Sequence, residues 1–133
     1  LSHYIEFLDN NSALKILIVE DNIVNQRIMT MILQKIGANC LAASNGEEAI
    51  RLMENNQFDV VLMDLNMPVM DGYETSYYIR NTLKSDVPII ALTADSIAGN
   101  ESKYLRQGIN AVLSKPFEIE VFKELMKNKL NKS

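Results

Sequence analysis

Four short segments of this chain carry side chains that could do chemistry together. Glu20-Asp21-Asn22 follows the apolar run Ile16-Leu17-Ile18-Val19, and Asp64-Leu65-Asn66 closes the run Val60-Val61-Leu62-Met63. Thr93-Ala94-Asp95 follows Ile89-Ile90-Ala91-Leu92, and Ser114-Lys115-Pro116 follows Ala111-Val112-Leu113. If these ends meet, the carboxylates of Glu20, Asp21 and Asp64, the hydroxyl of Thr93 and the ammonium of Lys115 share a small volume. Two carboxylates about 4 Å apart repel by roughly 4 kcal/mol at an effective dielectric of about 20. Three therefore need a counter-charge, or one must keep its proton. An all-oxygen set without His or Cys selects a hard cation, and few ligands with room for water favour Mg²⁺ over Ca²⁺. Taken singly, each acid is as well explained as a solvated loop residue, and either Asp21 or Asn22 suits the N-cap of a following helix. The complementarity of all four ends is what points to a site. Asp64 stands out because it closes a wholly apolar run and starts partly desolvated. Pro116 restricts the backbone beside Lys115 and is able to adopt a cis bond that helps aim that side chain.

The elements that must bring these ends together alternate regularly. Short apolar runs are expected to be strands at 16–19, 40–43, 59–64, 88–92 and 111–113, the pattern of strands buried on both faces. Between and after them, helical spacing is expected over 24–36, 46–54, 73–83, 97–107 and 119–130. Ile28, Ile32 and Ile36 stand four apart and suggest the buried stripe of the first helix, with Gly37 and Gly108 as helix stops. Five βα units imply an α/β fold, a doubly wound parallel sheet with right-handed crossovers and five helices. In such sheets the site lies beyond the carboxyl ends of the strands, where the four segments are. Residues 1–14 lack a clean period and contain the turn-forming Asp9-Asn10-Asn11-Ser12. They read as a linker or leader, with a short helix over 2–8, before one domain at 15–133. His3, alone in that leader, is assigned no role.

Bulk properties exclude several functions. A net charge of −4 argues against nucleic acid as the main partner. No apolar run approaches the ~20 residues of a membrane span, and no signal peptide is recognisable, so a cytoplasmic domain without membrane contact is expected. The one cysteine, Cys40, cannot form an internal disulfide and lies in an apolar stretch, the setting of a buried inert thiol.

Together the segments resemble a known family. Val19-Glu20-Asp21-Asn22, the stretch from Leu62-Met63-Asp64 through Met67-Pro68 to Asp71-Gly72, Leu92-Thr93-Ala94 and Leu113-Ser114-Lys115-Pro116-Phe117 are similar to the motif set of two-component receiver domains. The resemblance covers about residues 15–130. It implies a flavodoxin-like five-stranded sheet in the order 2-1-3-4-5. It also implies that Asp64 is the phosphoacceptor, with Mg²⁺ held by Asp21, Asp64 and the backbone carbonyl of Asn66, and by Glu20 through water. Lys115 and Thr93 would each bind a phosphoryl oxygen, and the small Ala94 would leave space for the group. The implied donor is phosphohistidine on a histidine kinase domain or a histidine phosphotransfer protein, or a small acyl phosphate. Such a domain catalyses its own phosphorylation and dephosphorylation without turning over a metabolite.

Two positions depart from the family pattern. Three residues before Lys115 the family commonly carries Tyr or Phe, but here stands Val112. Two residues after Thr93 stands Asp95, an acid beside a site that must hold a dianion. A phosphatase of the haloacid-dehalogenase type would use similar groups, but it needs a second Asp where this chain has Asn66. A dinucleotide or flavin site would need a phosphate loop where Glu20-Asp21 repel phosphate. Leu1 in place of Met as first residue suggests a piece of a longer protein. The run Asp21-Asn22-Ile23-Val24-Asn25-Gln26 resembles the opening of receivers in hybrid histidine kinases, so the C-terminal receiver of such a kinase is expected. A stand-alone or N-terminal response-regulator receiver is the alternative.

Overall fold

A computed structural model describes residues 14–65, 72–94 and 101–127. Five strands form one parallel sheet in the order β2-β1-β3-β4-β5. They are β1 Lys15–Val19, β2 Asn39–Ala43, β3 Val60–Asp64, β4 Ile89–Thr93 and β5 Ala111–Ser114. The helices between and after them are α1 Ile23–Lys35, α2 Gly46–Asn55, α3 Gly72–Asn81, α4 Glu101–Arg106 and α5 Ile119–Leu125. The expected fold class and strand order are those found. Of the expected helices, residues 97–100 and 128–130 lie outside the described residues.

Alternation along the strands splits the core in two, because successive side chains leave opposite faces of the sheet. Ile16, Ile18, Val60, Leu62, Ile90 and Leu92 pack on one face with Met29 and Leu33 of α1 and Phe122 of α5. Leu17, Val19, Val61, Met63, Ile89 and Ala91 pack on the other with Ala49 of α2, Ile79 of α3 and Tyr104 of α4. β3 and β4 are buried throughout, which is why their sequences are continuous apolar runs. Asn22 and Asn45 cap α1 and α2, accepting the N–H of Asn25 and of Glu48, each at 2.9 Å. Gly37 and Gly108 take φ of +93° and +86°, the left-handed conformation that follows a helix and favours glycine.

The expected stripe of α1 is a correction. Ile28 is exposed and Ile32 and Ile36 are only half-buried, whereas Gln26, Met29 and Leu33 face the core. Residues four apart drift about 40° around a helix at each step, so one flank of an isoleucine series turns outward. Leu14, placed in the leader by its polar surroundings, is fully buried against the α1–α5 face. Its carbonyl accepts the N–H of Asn39 at 2.8 Å, continuing the β1–β2 pairing. His3 and the helix expected over 2–8 lie outside the described residues. No helix among the described residues is long and apolar enough to cross a membrane.

Candidate functional site

The carboxyl end of the sheet gathers the acids. β1 and β3 are paired neighbours, with Val19 beside Met63. Glu20, Asp21 and Asp64 therefore emerge together, each offering a carboxylate oxygen within 4.8 Å of the others. Glu20 and Asp64 are buried and Asp21 is exposed. β4 and β5 add the remaining groups. Thr93 is buried at the end of β4, opposite Ser114, and its carbonyl accepts the N–H of Lys115 at 2.9 Å. Lys115 then reaches across the strand ends, with its Nζ 3.0 Å from Oδ1 of Asp64. The Lys115–Pro116 peptide is cis. The backbone carbonyl of Asn66, and Met67, Pro68 and Asp95, lie outside the described residues.

The repulsion expected of clustered carboxylates is visible in its consequences. Lys115 supplies the counter-charge to Asp64. Burial, aided by the negative charge of Asp64, pushes the Glu20 carboxyl up to about 7, although the Asn22 N–H donating to its Oε2 at 3.0 Å opposes the rise. The choice between Asp21 and Asn22 as helix cap resolves in favour of Asn22, leaving the Asp21 carboxylate beside the other two. The donor set fits a hard divalent cation: three carboxylates converge from one side, and the exposed Asp21 leaves a solvent-facing edge where water ligands fit.

Gly72 sets how closely α3 approaches this cluster. Its N–H donates to the Leu65 carbonyl at 3.1 Å. A Cβ there would stand 2.7 Å from Cα of Leu65 and 2.8 Å from the carbonyl oxygen of Asp64. Any larger residue must therefore displace the end of β3, which carries Asp64.

Beside the acids lies a cleft of about 440 Å³ between α1 and the segment after β5. Ile28, Met29, Leu92, Pro116 and Phe117 line it, with Glu20 and Lys115 in its wall. Ile23, Val24 and Met31 of α1 are more than half exposed, and Ile28 extends that apolar flank towards the cleft.

One polar residue of the site region was given no chemical role from the sequence. Gln26 is buried, and its side-chain Nε2 donates to the carbonyls of Glu20 and Ala43 at 3.0 and 3.2 Å. The available signal was its place in the 26, 29, 33 stripe, a polar residue at a buried helical position. Placing the stripe on the isoleucines hid it.

With this geometry in hand, the family is defined on independent grounds: residues 16–127 match the response regulator receiver domain, and the chain belongs to that family. It is 35% identical over 118 residues to the sensor histidine kinase RcsC of Salmonella typhimurium, covering 89% of this chain and 12% of that protein. It is 35% identical over 116 residues to the hybrid signal transduction histidine kinase K of Dictyostelium discoideum, covering 81% of this chain and 10% of that one. The chain thus spans about a tenth of the length of these relatives. Among solved structures, the receiver domain of a sensor histidine kinase from Pseudomonas aeruginosa matches with a TM-score of 0.78 and 34% identity, covering 91% of this chain and all of that one. That structure holds a magnesium ion in its active-site cleft. The chemotaxis protein CheY4 of Vibrio cholerae matches with a TM-score of 0.80 and 28% identity, over 89% and 99% of the two chains. The chain is a receiver domain of two-component signalling, homologous to the receivers of hybrid histidine kinases.

Proposed function

We propose that this domain takes a phosphoryl group from phosphohistidine onto Asp64 and passes it on, as the C-terminal receiver of a hybrid histidine kinase within a phosphorelay. The observation that carries this reading is the buried Asp64 carboxylate, 3.0 Å from Lys115 and beside two further carboxylates at the end of β3.

Asp21, Asp64 and the backbone carbonyl of Asn66 would hold Mg²⁺, with Glu20 acting through water. When bound, Mg²⁺ neutralises the clustered carboxylates and charge on the transferring phosphoryl oxygens. Phosphoryl transfer asks a protein mainly for positioning and charge neutralisation. A carboxylate oxygen of Asp64 attacks phosphorus in line, and the bond from phosphorus to the imidazole nitrogen of the donor breaks. Lys115, paired with Asp64 before transfer, then binds a phosphoryl oxygen as a charge-assisted donor. The Thr93 hydroxyl donates to another, and Ala94 presents only a methyl to the incoming group. The exposed apolar flank of α1 and its neighbouring cleft suit a helical donor, whose histidine must reach a buried Asp64. Val112 supports a relay role. A β-branched side chain with one restricted χ angle lacks the swinging ring that would carry the Thr93 shift to a distant output surface.

Acetyl phosphate with Mg²⁺ provides the test. Intact-mass spectrometry at neutral pH should find one added phosphoryl group on the wild type and none on Asp64→Asn. Equal labelling of both proteins would remove Asp64 from the role.

A further inference from the structure

We infer that Gln26 is a positioning residue for the cation site, clamping the Glu20–Asp21 loop through the Glu20 carbonyl; this rests on the Mg²⁺-dependent reading above. The β1–β2 pairing ends at Val19 and Ala43. The Glu20 N–H still donates to the Ala43 carbonyl at 3.0 Å, but beyond that bond the two strands turn away into α1 and α2. The Glu20 carbonyl therefore points past the end of the ladder, in a region where Glu20 itself is buried. Gln26 supplies what the ladder no longer does. Its single amide nitrogen carries two N–H groups, and two carbonyls accept them, Glu20 at 3.0 Å and Ala43 at 3.2 Å. The Ser44 hydroxyl lies a further 3.5 Å from the same nitrogen.

The loop is thus held at both ends. Asn22 caps α1 with its side chain while its N–H binds the Glu20 carboxylate. Gln26, one helical turn on, fixes the backbone from which Glu20 and Asp21 project. Groups behind a metal's ligands set ligand orientation, and losing one typically weakens metal binding roughly ten- to a hundredfold. Gln26 touches no reacting atom, so its effect must appear in cation affinity and loop order.

Gln26→Met keeps the length of the side chain without its donors, and Gln26→Asn keeps the amide but falls one methylene short. Calorimetry with Mg²⁺ alone, well below each melting temperature, should find roughly tenfold weaker binding in both variants. NMR of the metal-free proteins should find the amide signals of residues 20–22 shifted or broadened. Leu33→Val, a core change in the same helix, should lower the melting temperature while leaving Mg²⁺ affinity at the wild-type value. Unchanged Mg²⁺ affinity in both Gln26 variants, beside a wild type that binds Mg²⁺ and labels at Asp64, overturns the inference alone. A wild type that does neither overturns the functional reading and this inference together.

Discussion

The two edges of the same sheet are built on opposite terms. At the amino edge, polar groups meet their partners. The Lys15 N–H donates to the Asp59 carboxylate at 2.8 Å, and its ammonium to the Asn56 side chain at 3.0 Å. Arg80, at the end of α3, donates to the carbonyls of Ser85, Val87 and Gly108 and to the Asn110 side chain, all at 2.7 to 3.1 Å. The Asn110 oxygen in turn accepts the N–H of Ile89, tying α3 to the starts of β4 and β5. At the carboxyl edge, three carboxylates lie together, one of them paired with the Lys115 ammonium, and Glu20 is pushed towards neutrality. One edge is a finished joint. The other concentrates like charge, which suits the Mg²⁺ and phosphoryl site proposed above.

Mutation should separate the two edges, with the larger stability losses at the amino one. Arg80→Ala strands several part-buried carbonyls and should cost about 2–4 kcal/mol in chemical denaturation. Gly108→Ala should cost about 2 kcal/mol, since Gly108 sits at φ +86° and a Cβ would stand 2.7 Å from Cγ of Arg80. Neither change should alter Mg²⁺ affinity measured on the folded protein. Gly72→Ala should do both, lowering stability and slowing acetyl phosphate labelling, because its Cβ meets the carbonyl of Asp64.

The carboxyl edge should instead show a pH dependence of the opposite sense to an ordinary salt bridge. Between the ordinary 4.5 and about 7, the folded metal-free chain keeps a Glu20 proton that the unfolded chain has released. This contribution to stability is complete below 4.5 and is lost as pH rises through about 7. Thermal melts of metal-free protein should therefore show a fall over that window that Glu20→Gln removes. Mg²⁺ should raise the melting temperature more at pH above 7 than below 5, since the cation competes with the proton. A wild type and a Glu20→Gln variant with parallel profiles would contradict this account of the edge.

The smallest effect concerns Cys40, half-buried near the start of β2 and at the far end of that strand from the acids. Burial pushes its thiol up to about 11, so alkylation at neutral pH should be slow until the protein unfolds. Fast alkylation of the folded chain would show that β2 opens locally.

The strands and their order of chemistry were legible because a parallel strand covered on both faces has to be apolar throughout, as Val60–Asp64 is, so that an acid at its end stands out. Gly37 and Gly108 marked helix ends for a backbone reason that leaves a trace in one letter. Other features leave none. The α1 stripe was misplaced because Ile28, Ile32 and Ile36 fit a helical period as well as Gln26, Met29 and Leu33 do, and only the packed neighbour decides between them. Arg80 was invisible because its acceptors are mostly backbone carbonyls, which every residue possesses. Gln26 escaped for the same reason, and Leu14 because its polar surroundings masked a single buried side chain. Side-chain chemistry reads through a sequence. Side-chain-to-backbone anchoring reads through only where, as at the Asn22 cap, it is local in the chain.

The proposal that this charged edge receives a phosphoryl group is tested most directly with a mimic of that group. Beryllofluoride with Mg²⁺, titrated into isotope-labelled protein, should shift NMR signals at residues 20–22, 64–65, 93–94 and 114–115, with smaller changes along α4 and α5 because Val112 offers no ring to move. Asp64→Asn should show none of the beryllofluoride-dependent shifts. Shifts of the same size in that variant, or a wild type that shows no saturable response, would contradict the account.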